Sequence, residues 1–124
     1  MLNPEYDSTC KGDPIARRVT PRIECFELLK GIRNFAAMWR DMLIDNVSDI
    51  VLGEAGPGAV SASAVDVREC NKALALARDT LRDCVNAGNI GPEVERLFDQ
   101  QFDLIERTLN EANQELRDFL NKNP

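Results

Sequence analysis

PRIECFELLKGIRNFAAMWRDMLIDNVSDIVL, residues 21–52, decides the fold of this chain. Cys25, Leu29, Ile32, Ala36, Trp39, Leu43, Asn46 and Ile50 recur in alternating steps of four and three, the seam of a core-facing helix. Phe26, Leu28, Phe35, Met42 and Val47 widen that apolar face. Thr20-Pro21 reads as an N-cap followed by proline at the first helical position. The breaker cluster from Gly53 to Gly58 ends the stretch. At ~1.5 Å per residue, such a helix is about 48 Å long.

Downstream the same spacing returns twice. Val67, Cys70, Leu74, Ala77, Leu81 and Cys84 form a second seam, for a helix over about 62–87 that Ser63 and Asp66 would cap at its start. Gly88 closes that helix, and Pro92 opens a third, over about 92–121, with the seam Phe98, Phe102, Ile105, Leu109, Ala112, Leu116 and Phe119. No stretch alternates like a strand. Short loops between long helices predict an all-α, antiparallel up-down-up bundle over residues 21–124. Upstream, residues 1–20 hold Pro4, Gly12 and Pro14 among isolated apolar residues and read as an extended N-terminal arm. The surplus apolar residues Phe26, Phe35 and Met42 either complete the chain's own core or pack on a twin chain as a homodimer.

Composition narrows the chemistry. The 124 residues include no histidine, which removes Ser-His and Cys-His nucleophile pairs and histidine-ligated zinc or haem. A net charge of −6 argues against gripping nucleic acid phosphates. No run of apolar residues is long enough for a membrane span, and the polar start Met1-Leu2-Asn3-Pro4-Glu5 predicts a cytoplasmic protein. The loop Gly53–Ala59 carries no GxxxxGK pattern and follows a helix, so it is a connection and not a phosphate cradle.

Four cysteines remain, none in a CxxC pair. The antiparallel topology brings Cys25, near the start of the first helix, to the same end as Cys84, near the end of the second, with Cys10 in the arm beside them. These three are a candidate thiol cluster, for redox or metal chemistry with Glu24, Glu27 and Asp83 nearby. The plainer expectation is core packing, because free cysteine behaves as a small hydrophobe. Asn46 interrupts the first seam and is expected to set register. With Trp39 and Met42 it also outlines a candidate ligand pocket. Asp41, Asp45 and Asp49, and likewise Glu95, Asp99 and Asp103, repeat every four residues and read as solvated faces.

Charge is divided unevenly, +2 over residues 1–40 and −8 over 41–124. The local basic patch at Arg17, Arg18 and Arg22 would tether to the acidic start of the third helix or dock an acidic partner. Leu2, Tyr6, Ile15, Arg17 and Arg18 are the candidate partner-docking residues of the arm. Neither a catalytic constellation nor a cofactor motif stands out. The sequence therefore predicts a small non-enzymatic bundle that binds another protein as an adaptor, chaperone or regulator, with no nucleic acid or membrane partner. The alternative is a bundle that senses a ligand, a metal or redox state through the Trp39/Met42 region or the thiols.

Overall fold

The computed structural model describes the backbone of residues 14–124 and the side chains of residues 22–124. Three helices account for nearly all of it: α1 (Pro14–Leu52), α2 (Ala59–Asn86) and α3 (Pro92–Lys122). They pack against one another as an up-down-up bundle. Cys25 meets Cys84 and Asn46 meets Asp66, so α2 runs antiparallel to α1. Arg33 reaches Gln101 and Arg40 reaches Thr108, each 68 residues on, so α3 runs parallel to α1.

Two helix starts differ from the sequence expectation. Helix α1 begins at Pro14 rather than Pro21, so residues 14–20, expected in the extended arm, are helical. A proline does stand at the first helical position, but it is the earlier one: Pro14 brings a helix-compatible φ and lacks only an N–H that would have no partner there. Pro21 then lies inside the helix, where it drops one i→i−4 bond. Residues 1–13 of the expected arm lie outside the described residues.

Helix α2 starts at Ala59, because Gly58 turns the chain at φ 84°, a left-handed conformation that glycine adopts without Cβ strain. Ser63 and Asp66 are therefore not its cap; they sit inside the helix and are buried. They continue the Cys70 seam backwards in steps of four and three, placing two polar side chains on a core seam. Ser63 donates its hydroxyl to the Ala59 carbonyl at 2.9 Å.

The end of α2 is a Schellman turn. Gly88, at φ 77°, lets its own N–H bond to the Val85 carbonyl and the Asn89 N–H to the Cys84 carbonyl. Helix α3 opens on Pro92 with Glu93 and Glu95 against the positive end of its dipole.

The three seams meet in one core. Leu29, Ala36, Leu43 and Val47 come from α1, Cys70, Ala77 and Leu81 from α2, and Phe98, Phe102, Ile105 and Leu109 from α3. Phe98 and Phe102 stack at 5.8 Å along α3. Among the described residues, no helix is long and apolar enough to cross a membrane.

Candidate functional site

Helix α1 differs from its partners in being apolar on more than its core-facing side. Beside the core seam runs a second one, Leu28, Gly31, Phe35, Met38 and Met42, again in alternating steps of three and four. All five are exposed; Leu28 and Phe35 show about half of their surfaces to solvent, at 54% and 50%.

Ala73 and Leu76 of α2 extend the upper part of this seam into an open groove of about 580 Å³, which Glu27, Glu69 and Lys72 edge with charge. Gly31 lies in that groove, and a Cβ built there would meet nothing within 4 Å. Phe26, expected on the same surplus face, instead lies against Phe98 of α3, edge to face at 5.8 Å. Val47, also expected to widen the face, is core.

Two of the three cluster thiols come together. Cys25 and Cys84 are joined in a disulfide, with Cα atoms 6.1 Å apart, which ties the early part of α1 to the last turn of α2. Asn89, delivered by the Schellman turn, points its amide at Cys25 Sγ at 3.8 Å. Cys10 lies outside the described residues. Cys70 is separate and fully buried; it donates to the Ala36 carbonyl at 3.3 Å. Burial pushes its thiol up to about 11, so it stays protonated and unreactive near neutral pH. No group of three or more cysteine or acidic side chains placed to hold a metal ion occurs among the described residues.

Trp39, Met42 and Asn46 follow separate paths. Trp39 is partly buried beside Phe35, ring edge to face at 6.0 Å, with its indole N–H enclosed and unpaired among the described residues. Met42 belongs to the exposed outer seam. Asn46 turns to α2 and donates its amide to Asp66 at 2.7 Å. That contact pins α1 against α2, as a polar seam residue does when it sets register.

Asp66 is almost fully buried, and desolvation raises its pKa above the ordinary 3.8, opposed in part by the Asn46 hydrogen bond. A raised pKa means that the neutral acid is favoured in the fold. Stability linked to this group is therefore complete below the ordinary value and is lost as pH rises through the raised one. Asp66→Asn keeps an acceptor for Asn46 without the charge. Its melting temperature should match wild type near pH 3.5 and exceed it increasingly toward pH 7. A difference that does not change with pH would contradict this assignment.

Of the acidic stripes, Asp45 and Asp49 are exposed and Asp41 pairs with its neighbour Arg40 at 3.0 Å. Asp103 joins Glu106 in clasping Arg78 of α2, at 2.9 and 2.7 Å, which bridges α2 to α3. Leu2 and Tyr6 lie outside the described residues, as do the side chains of Ile15, Arg17 and Arg18, whose backbone is part of α1. The outer seam was visible in the sequence only as surplus hydrophobicity. The spacing from Leu28 through Gly31 to Met42 was the signal that separates it from the core seam. No protein-family model matches the chain, and the searches of curated proteins and of solved structures also find no match.

Proposed function

We propose that this protein is a non-catalytic binding module, an adaptor, chaperone or regulator, that packs the outer face of α1 against other protein chains, a second copy of itself among them. One observation carries the reading. Helix α1 is apolar both where it meets α2 and α3 and along the outer seam Leu28–Gly31–Phe35–Met38–Met42, which the other described residues leave uncovered. An amphipathic or apolar helix laid along that seam would be held as helix-in-groove complexes are, by side chains at i, i+3, i+4 and i+7 spacing. The acidic surface supports a protein partner over nucleic acid.

The direct test immobilises the full chain, disulfide intact, in an extract of its source cells and compares it with a Phe35→Ser, Met42→Ser variant. Specific retention by wild type and its loss in a variant of unchanged helical content is the expected result. Equal retention by both would contradict the reading.

The Cys25–Cys84 disulfide favours a second reading, a redox-responsive module. In a cytoplasmic setting, where thiols are kept reduced, bond closure would itself be the signal; in an oxidising compartment the same bond is a permanent staple. Retention on the α1 face that changes on reduction supports the switch, and retention that does not change leaves only the staple.

A further inference from the structure

Among the described residues nothing packs on Gly31. Glycine in the middle of a helix is less favourable than alanine, and it is retained where something must approach the backbone closely. None of the described residues does so: the space where its Cβ would stand is open.

We propose that the occupant is a second copy of this chain, its α1 lying antiparallel on the first so that Phe35 of each copy enters the notch at Gly31 of the other. This rests on reading the outer face of α1 as protein-binding, and it names the partner. In that register Leu28 stands opposite Met38 of the other copy and Phe35 opposite Gly31, while Met42 falls opposite Glu24. The contact is isologous, each residue pairing reciprocally about a two-fold axis, so it closes as a dimer.

Charge selects the same arrangement. The seam spacing continues outward to Arg17 at one end and to Asp45 and Asp49 at the other. The antiparallel register sets Arg17 level with Asp49 of the second copy; a parallel one would align Asp45 with Asp45 and Asp49 with Asp49. Along α1 the charges also run against the helix dipole. Residues 14–23 hold three arginines and no acid, and residues 41–52 hold three aspartates and no base. Neither the first turn carries an acid nor the last turn a base. An antiparallel copy lays the basic end of one helix beside the acidic end of the other, which relieves both.

The test is disulfide trapping in the full chain with Cys10→Ser and the native Cys25–Cys84 bond kept. A Leu28→Cys, Met38→Cys variant should form a covalent dimer under mild oxidation, whereas either single variant should not. Within one chain the two positions are about 15 Å apart along the helix and cannot bond to each other.

Gly31→Leu fills the notch at a position with open space and should keep its helical content while losing association at least ~10-fold by sedimentation equilibrium. Arg17→Glu should weaken association, and adding Asp49→Arg should restore it. Efficient linking of the single Leu28→Cys variant would overturn the antiparallel register, and wild-type association by Gly31→Leu would overturn the notch. A wild-type chain that stays monomeric at several hundred micromolar also overturns the proposal. If that monomer still retains another protein in a Phe35-dependent way, the binding-face reading stands without the second copy; if it retains nothing, both fall.

Discussion

Phe102→Ala should destabilise the bundle by about 3–5 kcal/mol, the range for truncating a large buried aromatic. Phe102 is the largest side chain with no exposed surface, and it stacks on Phe98 near the middle of the core. It comes from the seam of α3 and lies in the same core as Ala36 of α1 and Ala77 of α2. Truncation therefore removes a fully buried ring and leaves a cavity. Urea unfolding should show a lower midpoint with an unchanged slope. A loss below about 1 kcal/mol would mean that the core is not organised around α3 as described.

Opening the Cys25–Cys84 disulfide is the second large effect. The bond closes a loop with a sequence separation of 59 residues, and its Cα separation of 6.1 Å lies within the usual range for disulfides. In the chain-entropy treatment, a loop of that length restricts the unfolded ensemble by about 4 kcal/mol, and measured bridges usually deliver about 2–4. The reduced protein should keep its three helices, because both thiols remain on core seams and pack as small hydrophobes. It should melt on the order of 10 °C lower at equal protein concentration. Identical denaturant midpoints for the oxidised and reduced forms would show that the bond does not constrain the chain.

How much of this was legible in the sequence depends on which signal each element left. The three helices and their core seams were plain, because residues such as Leu29, Leu74 and Ile105 recur at a period that only a helix buries. Their starts were not. Pro14 and Pro21 carry the same first-turn signal, and only the assembled helix distinguishes them. Ser63 and Asp66 resemble a cap, yet both are interior residues on a core seam; a polar side chain there and a polar side chain at a terminus look alike until its partner, here Asn46 for Asp66, is in place.

The thiols divide along similar lines. Topology alone brought Cys25 and Cys84 to one end of the bundle. Seam positions could not say whether they would bond or merely pack, since both outcomes ask for a small apolar side chain at the same place. The outer seam was the hardest to read. Leu28 and Phe35 differ from Leu29 and Ala36 by one position each; the seam spacing placed the second pair in the core, but whether the first pair was covered as well depended on how α2 and α3 pack on α1.

That difference leads to the decisive measurement: thermal unfolding of the oxidised full chain over a wide concentration series, for wild type and for Phe35→Ser. If the outer face of α1 serves association, the wild-type melting temperature rises with protein concentration, as mass action requires. The variant should show no such rise and should stay within about 1 kcal/mol of wild type at the dilute limit, since half of Phe35 is already exposed. A concentration-independent wild type would contradict self-association through this face. A variant destabilised in dilute solution as severely as Phe102→Ala would show that the face belongs to the fold and not to a partner.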